Sequence, residues 1–148
     1  MALSKNNDEI IQEIFIQATP GIVFAYLTER DKLTQWFAPQ ADIDPVPGGD
    51  FRLRVDDQIR IEGTYQEIIP DERVVFTWGG AMGLAPGASR VEISLTAKKG
   101  GTMVRLRHYG IADPKAAAGF NHGWQARALP FLQQVAQSQT PLSECCFT

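Results

Sequence analysis

The segment from Asp113 to about Gln137 constrains the fold most, because it reads as one long amphipathic helix. Asp113 is a suitable N-cap, and Pro114 takes the first helical position, where a missing N–H does no harm. At about 100° per residue, one stripe collects the apolar side chains. The members of this stripe are Ala117, Phe120, Trp124, Ala128, Phe131 and Val135. The pattern predicts that another layer covers the stripe, with Leu129 on the opposite side.

Pro130 lies inside the segment and is predicted to kink or divide the helix, which would reshape the surroundings of Phe131.

The covering layer is predicted to be a β-sheet. Alternating apolar and polar residues indicate strands at 10–17, 50–55, 58–69, 72–79, 89–98 and 102–109. Short connections with hairpin chemistry separate most of them, which predicts antiparallel pairing in a meander. In the last strand Val104, Leu106 and His108 share one side, while Arg105 and Arg107 share the other. One face of the sheet is therefore expected to meet the helix and the other to meet water.

Two short helices are predicted after the first strand, from Pro20 to about Thr28 and from Arg30 to Phe37. Prolines and glycines between residues 39 and 49 are expected to interrupt structure, with Gly49 supplying a backbone angle that other residues resist. The element order predicts an α+β helix-grip fold: a curved antiparallel sheet wrapped around a long C-terminal helix. At 148 residues one domain is expected, spanning 10–138, with tails at 1–9 and 139–148.

Charge and composition exclude several classes of function. Fourteen basic residues against 17 acidic ones leave no basic field for nucleic acid. The sequence has neither a secretory signal nor an apolar run of about 20 residues, so we expect a cytoplasmic protein without membrane insertion. We expect no metal and no cofactor, because the sequence lacks ligand spacing and a phosphate loop. Cys145 and Cys146 are predicted to be free thiols in the C-terminal tail.

The chain resembles the START-like (SRPBCC, helix-grip) superfamily and, within it, the activator-of-heat-shock-protein-90-ATPase-like family. The resemblance rests on several segments taken in order: ATPGIVFAYLTERDKLTQWF at 18–37, PGGDFRL at 47–53, EGTYQEIIPDERVVFTW at 62–78, TMVRLRHYG at 102–110 and Gly123-Trp124. It implies a cavity between the sheet and the long helix, with roles that range from lipid or polyketide binding to occasional catalysis. Members that stimulate the chaperone ATPase carry an additional domain in front, whereas the first strand here begins almost at once. We therefore do not expect co-chaperone activity.

Candidate ligand-binding residues are mostly aromatic and are predicted to lie around the expected cavity. They are Trp36, Phe37, Phe51, Tyr65, Trp78, Met82, Leu84, His108, Phe120, Trp124, Arg127 and Phe131. Met82 and Leu84 belong to the glycine-rich loop at 79–89, which is a candidate lid. Arg127 could reach a ligand carboxylate or extend into water over its aliphatic stem.

Three functional hypotheses follow from the sequence. The first is a protein that binds a small apolar or amphipathic molecule. The second is a cyclase or hydrolase on an aromatic or polyketide-like substrate with His108 as general base, although His108 could equally be a hydrogen-bonded core residue. The third is an interaction module of a stress response, for which a second copy of the chain is a candidate partner.

Overall fold

The computed structural model describes residues 9–81 and 84–145, with side chains as far as residue 138. Seven antiparallel strands form one curved sheet whose inner face packs on the C-terminal helix, which confirms the predicted fold. The strands are β1 (Ile10–Ile16), β2 (Gln40–Ile43), β3 (Asp50–Arg54), β4 (Arg60–Ile69), β5 (Arg73–Trp78), β6 (Ser89–Lys98) and β7 (Gly101–Tyr109).

The strand order across the sheet is β1-β7-β6-β5-β4-β3-β2. The antiparallel pairing predicted between consecutive strands from β3 to β7 is present throughout, and β1 pairs with β7 from Ile10 opposite His108 to Ile16 opposite Thr102. The predicted alternation in β7 is confirmed, because Val104 and Leu106 are fully buried whereas Arg105 is exposed. The buried side chains of β3 to β7 thus form a continuous inner face opposite the helix.

The region between residues 39 and 49 differs from the prediction. β2 forms there and pairs with β3, from Gln40 opposite Arg54 to Ile43 opposite Phe51. The prolines that suggested an interruption flank this strand and leave its backbone N–H groups available. Gly48 has the left-handed backbone angle, with φ of 86°, and not Gly49. Gly49 instead allows its backbone to lie close to that of Asp44, since a Cβ atom at Gly49 would lie 2.0 Å from the carbonyl oxygen of Asp44.

The helices are α1 (Pro20–Thr28), α2 (Arg30–Leu33), α3 (Pro114–Gly123) and α4 (Leu129–Cys145), with a π-helical segment, Trp124–Ala128, between the last two. The N-cap predicted at Asp113 is present, since Asp113 Oδ1 accepts from the N–H of Lys115 at 3.0 Å. Thr19 is the N-cap of α1, and its Oγ1 accepts from the N–H of Ile22 at 3.3 Å. α2 ends at Leu33, earlier than predicted, and turns follow to Phe37. The C-terminal helix extends beyond its predicted end at Gln137.

The π-helical segment confirms that the long helix is divided near Pro130. The N–H of Leu129 donates to the carbonyl of Trp124, five residues back. Pro130 follows directly and has no N–H to offer the carbonyl of Ala126. One extra residue in a turn rotates every later side chain by about 100° relative to a continuous α-helix.

This rotation corrects the predicted buried stripe. Leu129, Leu132 and Ala136 are buried, whereas Phe131 is 43% exposed. The predictions that Leu129 lies opposite the buried face and that Phe131 lies within it were wrong, because they assumed 3.6 residues per turn throughout. The extra residue moves the buried stripe forward by one position after Trp124.

Polar side chains also fasten the helix to β1. Gln12 Nε2 donates to Asn121 Oδ1 at 2.6 Å, and Gln133 Nε2 donates to the carbonyl of Phe15 at 2.8 Å. The N–H of Gln17 donates to Gln137 Oε1 at 2.9 Å. These bonds fix the position of the helix along the edge strand, so the inner face and the helix have one defined spacing.

Candidate ligand-binding cavity

A cavity of about 240 Å³ lies between the inner face of the sheet and the C-terminal helix. Strands β3, β4 and β5 form one side, and α3 with the π-helical segment forms the other. The wall consists of Trp36, Phe37, Leu53, Val55, Ile59, Ile61, Trp78, Ala81, Gly119, Phe120, Gly123, Trp124, Arg127, Ala128 and Phe131. A wall that is mainly aromatic and aliphatic is typical of sites for small apolar molecules.

Seven of the residues singled out in the sequence lie in this wall. They are Trp36, Phe37, Trp78, Phe120, Trp124, Arg127 and Phe131. Phe51, Tyr65 and His108 are instead fully buried in the core outside the wall, and Leu84 packs against the core from the loop. Met82 lies outside the described residues. Contact of any of these residues with a ligand stays a prediction.

Sequence reasoning did not assign the aliphatic and glycine part of the wall to the site. The missed residues are Leu53, Val55, Ile59, Ile61, Ala81, Gly119, Gly123 and Ala128. The alternation of the hairpin between β3 and β4 places Leu53 and Ile61 on the inner face, which is a signal for two of these eight residues. The two glycines carry a second signal, because they are four residues apart and therefore share one side of a helix.

Gly119 and Gly123 form the helix side of the cavity. Gly123 has helical backbone angles, with φ of −62° and ψ of −42°. A Cβ atom added to it would meet no atom within 4 Å. A side chain added at Gly123 would therefore enter open space at its first carbon.

Phe37 is the centre of the aromatic part of the wall. Its ring stacks on Trp36 with centroids 4.5 Å apart and on Trp78 at 5.7 Å, and it packs against Trp124 at 5.3 Å. Behind it, Phe51 stacks on Phe76 at 4.0 Å. Such contacts add to the free energy gained by burying the rings and restrict their orientation. The aromatic side of the cavity is thus supported by a second row of rings.

The loop expected to act as a lid is hydrogen-bonded to β4 at both ends. The N–H of Glu62 donates to the carbonyl of Gly79 at 2.8 Å, and the N–H of Gly87 donates to the carbonyl of Glu62 at 3.0 Å. Ala81 of this loop enters the cavity wall. The role of the loop as a lid stays a prediction.

His108 is part of a hydrogen-bonded chain between the helix and three strands. Trp124 Nε1 donates to His108 Nδ1 at 3.2 Å. Since an indole N–H can only donate, Nδ1 is the acceptor and Nε2 carries the proton of the neutral ring. That proton is donated to Ser89 Oγ at 2.8 Å, and the Ser89 hydroxyl donates to the carbonyl of Trp78, also at 2.8 Å.

Burial determines the charge state of this histidine. His108 has no exposed surface, and removal from water lowers its pKa to about 3. A neutral imidazole with both nitrogens bonded needs no further partner. Burial similarly raises the pKa of Tyr65, whose hydroxyl donates to the carbonyl of Leu27 at 3.4 Å. Neither residue contacts the cavity.

Within residues 9–81 and 84–145, no group of three or more His, Cys, Asp or Glu side chains is arranged to hold a metal ion. Over the same part of the chain, no helix is long and apolar enough to cross a bilayer. The side chain of Cys145 and all of Cys146 are outside the described residues.

The profile of the family described as activator of Hsp90 ATPase homolog 1-like protein matches residues 17–136. The chain belongs to this family. The match includes α1, α2, β2 to β7 and the helix past Pro130, so it spans every element that forms the cavity.

Solved structures of other proteins share the fold of this family member. An AHSA1-like protein from Rhizobium etli is 32% identical, with 87% of this chain and 81% of that chain covered and a TM-score of 0.70. A protein from Mesorhizobium loti is 22% identical, with 89% and 98% covered and a TM-score of 0.77. The Aha1 dimer from Colwellia psychrerythraea is 23% identical, with 87% and 96% covered and a TM-score of 0.75. The comparison with curated proteins gave no match.

Proposed function

We propose that this AHSA1-like protein binds a small apolar or amphipathic molecule in the cavity between its sheet and C-terminal helix. The observation that carries the proposal is the open space beside Gly123, bordered by aromatic and aliphatic side chains. Its volume is about 240 Å³, and fourteen of the fifteen residues that line it are apolar, aromatic or glycine. A concave apolar surface that reaches solvent is typical of a site for a small apolar molecule.

The size and chemistry of the wall limit the occupant. A cavity of about 150 Å³ lined by apolar side chains accommodates benzene, which scales to an apolar body of about ten non-hydrogen atoms here. Burying such a body removes apolar surface of both the ligand and the cavity wall from water. This burial is the main source of affinity in sites of this kind.

The geometry gives no separate support to catalysis by His108. Trp124 lies between the imidazole and the cavity, since it lines the cavity with its ring and donates to His108 Nδ1. A general base must reach the proton it removes, directly or through one water. His108 is also a weak base, because burial lowers its pKa to about 3 and the neutral ring does not take up a second proton near neutral pH.

The test uses a neutral bicyclic probe, 2-naphthylmethanol, in calorimetric titrations of three proteins. Gly123→Leu places a side chain in the open space, and Ala126→Leu adds the same side chain to the exposed side of the same helical region. Leucine is a better helix former than glycine by roughly 0.8 kcal/mol, so Gly123→Leu is expected to fold at least as stably as the parent. We expect it to lose probe binding by tenfold or more, with Ala126→Leu unchanged.

Native mass spectrometry of protein purified gently from its own host gives the second half of this test. A retained compound that is present on the parent and on Ala126→Leu, but absent from Gly123→Leu, identifies the natural ligand. If the probe does not bind and no compound is retained, or if Gly123→Leu binds as well as the parent, the proposed function is wrong.

A further inference from the structure

Arg127 supplies the only charge in the described cavity wall. The other fourteen side chains of the wall are apolar, aromatic or glycine. The Arg127 side chain is exposed, so it lies where the cavity opens to water. Among the described residues, no carboxylate lies within 4.0 Å of its guanidinium, whereas Arg73 and Arg107 each pair with glutamates on the outer face of the sheet. The cavity therefore has one cation at its opening with no anion of the chain assigned to it.

The two carboxylates in the turn of the hairpin that borders the cavity have other partners. Val55 and Ile59 of this hairpin lie in the wall, and Asp56 and Asp57 lie between them. Asp56 Oδ1 accepts from the N–H groups of Gln58 and Ile59, each at 2.7 Å. Asp57 Oδ1 accepts from Arg54 at 3.3 Å. Asp56 and Asp57 thus stabilise their own turn.

The remaining polar side-chain atoms of the wall are hydrogen-bond donors. Trp36 Nε1 donates to the carbonyl of Tyr26 at 2.9 Å, and Trp124 Nε1 donates to His108. Trp78 Nε1 is buried and has no partner among the described residues. The donors without a partner among the described residues are therefore Trp78 Nε1 and the Arg127 guanidinium, and the wall side chains offer no acceptor. Such a wall complements a ligand that carries acceptors. A charged acceptor is favoured over a neutral one because the strongest donor is a guanidinium.

From these observations we infer that the cavity takes an organic carboxylate whose apolar body of about ten non-hydrogen atoms fills the wall and whose carboxylate pairs with Arg127 at the opening. This inference rests on the proposed function and adds the chemical class of the ligand. The planar guanidinium matches a carboxylate with two parallel hydrogen bonds, which a lysine or a neutral side chain does not reproduce.

The experiment compares two probes of the same shape, 2-naphthoate and 2-naphthylmethanol, by calorimetric titration at pH 7 and low ionic strength. The proteins are the full chain, Arg127→Gln and Arg105→Gln. Arg105 is the matched control because it is an exposed arginine on the outer face of the sheet, 4.0 Å from Glu13. We expect the parent to bind the carboxylate about fivefold more tightly than the alcohol, which is the upper range for an exposed ion pair.

Arg127→Gln is expected to remove this preference, measured as the ratio of the affinities for the carboxylate and the alcohol, and Arg105→Gln to keep this ratio. Salt should reduce the preference in the parent, because an exposed pair is screened. If the alcohol and the carboxylate bind the parent equally, or if both variants lose the same affinity, the carboxylate inference is wrong while the proposed function stands. If neither probe binds the parent and no compound is retained on it from its host, the proposed function fails and the inference fails with it.

Discussion

The deep side of the cavity and its opening are built in opposite ways. On the deep side, Trp124, His108 and Ser89 form a chain in which each polar hydrogen has an acceptor. At the opening, Phe131 is exposed and Arg127 has no carboxylate within 4.0 Å among the described residues. Buried polar groups that are fully bonded make an arrangement rigid, whereas exposed and unpaired groups contribute little to folding.

Along the C-terminal helix, the residues that stabilise the fold are therefore different from the residues that are expected to contact a ligand. Trp124, Leu132 and Ala136 attach the helix to the sheet, whereas Arg127 and Phe131 face the opening. Substitutions on the deep side should therefore change the free energy of unfolding, and substitutions at the opening should change affinity.

Trp124→Ala is expected to have the largest effect on stability. It removes a buried ring that packs against Phe37 and Trp78, and it leaves His108 Nδ1 without a donor. Truncation of a buried tryptophan costs about 3–5 kcal/mol. Chemical denaturation of the parent and the variant measures this change in the free energy of unfolding.

Trp124→Phe separates the two contributions. It keeps most of the ring but deletes the N–H, so the loss should fall to about 1–3 kcal/mol, the cost of leaving one buried acceptor unsatisfied with a small void. If Trp124→Phe were as stable as the parent, the bond to His108 would contribute nothing and the deep side would depend on packing alone.

The free energy of unfolding is expected to depend on pH through His108. The pKa of His108 falls from 6.5 in the unfolded chain to about 3 in the folded protein, so below pH 6.5 the unfolded state binds a proton that the folded state does not. Stability is thus unaffected by this residue above pH 6.5 and falls as pH decreases from 6.5 towards 3. The slope is about 1.4 kcal/mol per pH unit, or about 2 kcal/mol at pH 5.

His108→Gln removes the titrating group and leaves a side chain that can both donate and accept. Its free energy of unfolding, measured by denaturation between pH 5 and 7.5, should depend less on pH than that of the parent. His122→Gln is the control, because His122 is exposed on α3. Equal pH dependence in the parent and His108→Gln would show that the histidine is not held neutral by burial.

The sequence predicted the fold through features that act locally. Alternation in β7 identified its buried side, and Asp113 with Pro114 marked the start of the helix. The aromatic part of the wall was also identified, because large apolar side chains on the inner face must be covered. His108 was placed on the correct face, but the pattern could not show its bonds, which join residues far apart in the chain.

The features that the sequence did not predict depend on which residues of the C-terminal helix face the sheet after Pro130. Pro130 indicated a break, yet a kinked helix and a π-helical turn are both consistent with a proline at that position. Only a π-helical turn rotates the later residues. The helix geometry before Pro130 therefore decides whether Phe131 or Leu132 is buried. That choice is made by packing against the sheet, where Leu132 and Ala136 continue the core begun by Phe120.

The smallest expected change in stability is that of Phe131→Ala, and it tests the rotation directly. Phe131 is 43% exposed, so its removal should change the free energy of unfolding by about 0.5 kcal/mol or less, as for other surface positions. Leu132→Ala is the matched comparison, and its cost should be about 2–5 kcal/mol because Leu132 is fully buried. A continuous α-helix would reverse the two values. Affinity for 2-naphthylmethanol should show the opposite order, since Phe131 lies in the cavity wall and Leu132 does not.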